Sequence, residues 1–184
     1  MKMHDMIRRA ALIVAAHGVL GLPGVARAQR VGDSARSAIP ESIREEHEEI
    51  RGELASATKL AGRTGLAARA LAALLQPHFN REEQIALPPL SLLGPLSRNE
   101  RVASPAVVLA MTDSLRRELP RMLREHVAIR TATQRLATAA QSEGQTMVVR
   151  FADKLSAHAR NEEELLYPAA IVVGDLMRAR GARP

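Results

Sequence analysis

The chain has 184 residues, a formal net charge of +6, 46% hydrophobic and 25% charged residues, which is the profile of one globular domain with room for a targeting segment, not of a disordered chain. Cysteine is absent, which excludes disulfides, zinc fingers, thiolate-held clusters and a Cys nucleophile. Two phenylalanines, one tyrosine and no tryptophan in an Ala/Leu/Arg/Glu-rich background argue against a β-sandwich or barrel and for closely packed helices.

Residues 1–9 carry Lys2, Arg8 and Arg9. Residues 10–22 are almost wholly apolar, and Pro23-Gly24 and Ala26-Arg27-Ala28 follow. This layout predicts a cleavable secretory signal over 1–28, its apolar run shorter than the roughly 20 residues that span a bilayer. The Arg8-Arg9 pair also fits twin-arginine export. The expected location is therefore periplasmic or secreted, with no membrane span in the mature chain. Removing 1–28 leaves 22 basic and 19 acidic groups, without a dense basic cluster or stacking aromatics, so nucleic acid is not an expected partner.

Residues 29–38 read as a polar linker. Pro40 suits a first helical turn, and Glu41, Glu45 and Glu46 favour the positive end of the helix dipole. Ile43, His47, Ile50 and Leu54 recur at helical steps, predicting a first helix to about Arg63 with a turn at Thr64-Gly65. A second helix carries Leu71, Leu74, His78, Glu82 and Ile85, kinked at Pro77 and ended by Pro88-Pro89. Residues 88–104 form a connector with at most a short helix. Ser104-Pro105 reads as an N-cap and first helical residue. The third helix, interrupted at Pro120, carries Leu119, Met122, His126, Ile129 and Leu136. After a turn at Ser142-Glu143-Gly144, the fourth carries Phe151, Leu155, His158 and Glu162 and ends or bends at Pro168, leaving 171–184 as a tail or short helix. The expected fold is all-α: an antiparallel up-and-down four-helix bundle over 39–170, built from two similar helix hairpins.

The hairpins repeat in their chemistry. Glu46-His47-x-x-Ile50-Arg51 matches Glu125-His126-x-x-Ile129-Arg130, and His78-x-x-x-Glu82-Glu83 with Pro88 matches His158-x-x-x-Glu162-Glu163 with Pro168. A residue four positions after a histidine lies about 40° from it around an α-helix, and a residue five positions after lies about 140° away. His78 with Glu82, and His158 with Glu162, can each converge on one point. Counting rise from each turn puts His47 and His126 level with those pairs. Buried carboxylates among imidazoles are costly without a compensating cation, so His47, His78, Glu82, His126, His158 and Glu162 are the predicted metal ligands. Six such donors are too many for one tetrahedral zinc and too nitrogen-rich for calcium or magnesium. They suit a pair of first-row metals, iron first and manganese second, with positions left open for a small ligand. Glu83 and Glu163 are expected to be solvated or to sit behind the ligands, and their loss to leave metal content nearly unchanged. The imidazoles of a metal-free bundle are expected to stay neutral. Tyr167 is read as end-of-bundle packing, a hydrogen bond toward the site being the alternative.

The order His47, His78-x-x-x-Glu82, His126, His158-x-x-x-Glu162, with Pro88 and Pro168, resembles the hemerythrin-like family of HHE cation-binding domains over roughly 39–170. The resemblance implies a four-helix bundle with a non-haem di-iron centre bridged by Glu82 and Glu162, and a protein that binds dioxygen, nitric oxide or iron itself. A di-iron oxidase, peroxidase or nitric-oxide-reducing enzyme is the alternative. Oxygen-carrying hemerythrins have a second histidine one turn from the third-helix ligand, where this chain has Met122 and Arg130. That difference argues against simple reversible oxygen carriage and leaves room for an exogenous ligand or redox turnover.

Overall fold

The structure, a computed structural model, describes residues 39–181; the signal read over 1–28 and the linker over 29–38 lie outside them. Among the described residues the regular elements are all helical, and no helix is long and apolar enough to cross a membrane. In chain order they are α1 (Glu41–Thr58), α2 (Gly62–Ile85), a 3-10 turn (Pro88–Leu92), α3 (Leu93–Ser97), α4 (Pro105–Ser142), α5 (Thr146–Asn161), a π-helical turn (Glu162–Leu166) and α6 (Tyr167–Gly181). The last three form one continuous helical path. α2 packs on α1 and α4, and α5 packs on α4 and α1, closing a ring of four helices; α6 covers α4 and the 3-10 turn.

The apolar stripes read from the sequence face inward and divide into two layers. One contains Ile50, Leu54, Leu71, Leu75, Ile129 and Leu155. The other contains Leu87, Leu90, Leu115, Met122, Tyr167 and Ala170. The histidines lie between them in sequence on every helix, so a polar layer separates two aliphatic ones. Each fully buried Leu or Ile contributes about 1.5–3 kcal/mol, which fixes helix register on either side of that layer.

The first hairpin turns earlier than the sequence suggests. α1 stops at Thr58 and α2 starts at Gly62, whose φ of +73° only glycine adopts without strain. Gly65 is not in the turn. It is buried inside α2, where a Cβ would stand 1.8 Å from the Leu60 carbonyl oxygen. The start of α2 is capped from the other hairpin: the Glu143 carboxylate accepts from the backbone N–H of Arg63 (2.7 Å) and Thr64 (3.0 Å) and from the Thr64 hydroxyl (2.6 Å). Those bonds hold the Glu143 carboxyl below its ordinary range.

α4 begins at Pro105 as expected, but Ser104 has left-handed backbone (φ 58°) and its side chain makes no capping bond. Neither inner proline ends its helix: α2 runs through Pro77 and α4 through Pro120. Both prolines sit on exposed faces, so water can satisfy the carbonyls of Ala73 and Arg116 that lose their partners. Pro168 ends nothing either. It follows the π-helical turn, in which the N–H of Tyr167 donates to the carbonyl of Glu162, five residues back.

Candidate metal centre

α1 supplies His47, α2 His78 and Glu82, α4 His126 and α5 His158; Glu162 opens the π-helical turn. All six side chains meet in the polar layer, each at most 3% exposed. They form two groups that could hold a metal ion: His78, Glu82, His126 and Glu162, and His47, His158 and Glu162. Glu162 belongs to both. Its Oε2 lies 3.4 Å from His126 Nε2, while its Oε1 lies 3.0 Å from His158 Nε2 and 3.5 Å from His47 Nε2. Glu82 spans the same gap less tightly. Its Oε1 is 3.1 Å from His78 Nε2, and its Oε2 is 3.9 Å from His47 Nε2.

The inward atoms His47 Nε2, His158 Nε2, Glu82 Oε2 and Glu162 Oε1 are buried without a hydrogen-bond partner. His78 Nε2 and His126 Nε2 stand only 2.7 Å apart. Four orphaned polar atoms in an aliphatic interior are several times the cost of one lost hydrogen bond. A cation between them would remove that penalty, so the residues present fit bound metal.

The outward Nδ1 atoms have a different set of partners. Glu83 lies 3.4 Å from His47 Nδ1, Glu125 3.0 Å from His78 Nδ1, and Glu163 2.8 Å from His126 Nδ1. Glu46 is 3.2 Å from His158 Nδ1, close enough for ionic attraction but not aligned for a hydrogen bond. Each pair crosses to another helix, so carboxylates pass around the whole ring of four. Arginines hold three of them: Arg51 donates to Glu83 (2.6 Å), Arg130 to Glu163, and Arg81 and Arg121 to Glu125. An Nδ1–H held by a carboxylate leaves Nε2 free to face a metal. Of the two places expected for Glu83 and Glu163, solvated or behind the ligands, the structure shows the second, each behind a histidine of a neighbouring helix. The angular argument treats one helix at a time, and these carboxylates act on the next one. The repeat carried the clue: Glu46 and Glu125, Glu83 and Glu163, and Arg51 and Arg130 recur beside the ligands in both copies.

Without metal, protons take the cation's place. Burial opposes charge on His47, but Glu162, Glu83 and Glu82 outweigh it and raise its pKa to about 9. His78 is likewise raised to about 9 against burial, by Glu82 and Glu125. His158 is raised by Glu162. Burial alone would raise the Glu162 carboxyl; His126, His158 and His47 instead hold it well below its ordinary range. The metal-free imidazoles of His47 and His78 are thus not neutral, because the carboxylates between them need a counter-charge.

Two aromatic side chains complete the walls. Phe79 stacks on His47 (ring centroids 4.1 Å apart) and meets His158 edge-on. Tyr167 is 1% exposed, its hydroxyl donates to Glu82 Oε1, and it stands 3.2 Å from His126 Nε2. Burial, then the Glu82 and Glu162 carboxylates, push its phenol pKa up. Tyr167 therefore does more than pack the end of the bundle. The sequence hid this because five regular α-helical steps from Glu162 point away from the centre, and the π-helical turn rotates Tyr167 back toward it.

Comparison with curated proteins and with solved structures returned no match. The family model of the hemerythrin HHE cation-binding domain matches residues 38–170, a span that contains all six inward ligand candidates. The chain belongs to the hemerythrin HHE cation-binding domain family.

Proposed function

We propose that this protein is an exported hemerythrin-like di-iron protein that binds a small ligand, dioxygen or nitric oxide, or stores iron itself. In this reading the bundle runs up and down as two helix hairpins over 39–170. His78 and His126 would hold one ion and His47 and His158 the other, with Glu82 and Glu162 available to both. The single observation that carries the reading is the set of orphaned inward nitrogen and oxygen atoms arranged in two groups that share Glu162. Iron is the first choice because a nitrogen-rich, carboxylate-bridged set suits a redox-active first-row metal; manganese is the second. Export rests on the charged start, short apolar run and Ala26-Arg27-Ala28 of the first 28 residues.

A pair of iron ions in this site would supply open coordination positions and electrons to a small molecule. The chain's own residues do the rest. Glu83, Glu125 and Glu163 fix the tautomers of His47, His78 and His126, Phe79 keeps water from the His47–His158 side, and the two aliphatic layers exclude it from both ends.

The second reading, a di-iron oxidase, peroxidase or nitric-oxide-reducing enzyme, is favoured by the lack of an imidazole at Met122 and Arg130, which would leave one ion less saturated by protein than in the oxygen-carrying pattern. Metal analysis combined with optical spectra under anaerobic conditions, in air and with nitric oxide separates the readings. A reversible spectral change on gas exchange supports binding. Irreversible oxidation with turnover of added reductant supports the enzyme. A protein that takes up no iron and shows no spectral change contradicts both.

A further inference from the structure

The two copies of the repeat differ where they touch the centre. Leu87 and Tyr167 are counterparts: each stands five residues after the inward glutamate and just before the repeated proline. The backbone treats them alike. The Leu87 N–H donates to the Glu82 carbonyl at 3.0 Å, and the Tyr167 N–H donates to the Glu162 carbonyl. Both side chains are buried. Only the second copy carries a hydroxyl there, and that hydroxyl lies against Glu82 Oε1 and 3.2 Å from His126 Nε2.

The opposite end of the centre is differentiated in the other sense. Phe79 lines the His47–His158 side, and its counterpart in the second copy is Ala159. One ion position therefore has an apolar wall and the other a hydrogen-bond donor. The donor stands beside the group of His78, Glu82, His126 and Glu162. One turn on either side of His126, α4 offers Met122, which packs in the same aliphatic layer as Tyr167, and Arg130, which is engaged by Glu163. Neither supplies an imidazole to that group.

We propose that Tyr167 is a ligand-recognition residue of this centre, its hydroxyl donating a hydrogen bond to a small anionic or diatomic molecule bound at the His78–His126 ion. This rests on the di-iron reading above. The π-helical turn is the device that makes it possible, since it puts residues five apart on one face of the helix. In the structure the hydroxyl donates to Glu82, and the same donor swings to an acceptor atom placed beside His126.

The test uses iron-loaded full-length protein and Tyr167→Phe, which keeps the ring and removes only the hydroxyl, with azide as the probe. Iron per chain, azide affinity, and the azide stretching frequency in light and heavy water are measured on both. The expected result is equal iron content, azide bound about tenfold more weakly by the variant, and a heavy-water shift of the azide stretch in the wild type alone. Equal affinity with identical heavy-water behaviour would overturn the proposal. So would a phenolate-to-iron(III) absorption band present only in the wild type, which makes Tyr167 a metal ligand. Iron loss with unchanged azide affinity per iron would also overturn it, since the hydroxyl would then only seat Glu82. A wild type that takes up no iron overturns the underlying reading as well, and is recognised before azide is added.

Discussion

Glu83 and Glu163 lie on the far side of their own helices from His78 and His158, and there they meet His47 and His126 of the neighbouring helices. Inward and outward carboxylates should therefore fail differently. Glu82→Ala or Glu162→Ala removes a bridge and should lower the number of ions held per chain. Glu83→Ala or Glu163→Ala leaves every inward donor in place but frees an imidazole to turn. It should keep the full stoichiometry at saturating iron while weakening affinity about ten- to hundredfold. Metal analysis beside a chelator competition distinguishes the two patterns. The same pairs set the pH dependence. His47 and His78 have folded pKa values of about 9, above the ordinary 6.5. Their contribution to metal-free stability is fully present below pH 6.5 and is lost as pH rises through 9. Metal competes with those same protons, so it binds more tightly as pH rises. The thermal midpoint gained on loading iron should widen steadily from pH 6.5 to 9, and a gain that is flat or shrinking over that range would contradict the ligand assignment.

The helix stripes were legible because apolar residues and histidines share a 3.6-residue period, and that alone places the centre's level on each helix. The misread features are local breaks in that period. The first hairpin turns at Gly62 and not at Gly65, because a close backbone approach and a left-handed turn both call for glycine and look alike in sequence. Tyr167 reads as packing first and as a hydrogen-bond donor to the site second, and the π-helical turn at Glu162–Leu166, which has no sequence signature, decides for the second. The placement of Tyr167 depends on how α6 is seated. Gly174 lies on α6 where an added Cβ would meet Thr112 Oγ1 at 2.3 Å and Thr112 Cβ at 2.7 Å, and Thr112 is fully buried on α4. Gly174→Ala should therefore destabilise the protein by about 1–3 kcal/mol through overpacking, measured by denaturant unfolding. Thr112→Ala in the same chain should recover most of that loss; if it does not, the α4–α6 contact is not what glycine serves.

At the scale of the molecule, duplication explains how much one sequence disclosed. Each feature that matters twice is written twice: the lone histidines, the His-x-x-x-Glu pairs, the outward glutamates, their arginines and the prolines. What duplication could not disclose is which helix faces which, and so the cross-helix pairs Glu125–His78 and Glu46–His158 had no sequence signal beyond their recurrence. The export reading stands apart from the fold and has its own check: intact-mass measurement of protein recovered from the cell envelope should find Gln29 at the N-terminus, and a full-length cytoplasmic product would contradict it. The most direct test of the centre is iron per chain in the wild type beside His47→Ala/His158→Ala, after expression in iron-replete medium. The shared-carboxylate arrangement predicts about two irons in the wild type and about one in the double variant, retained by the His78–Glu82–His126–Glu162 group. A wild type with no iron, one holding stoichiometric zinc alone, or a double variant with undiminished iron would contradict it.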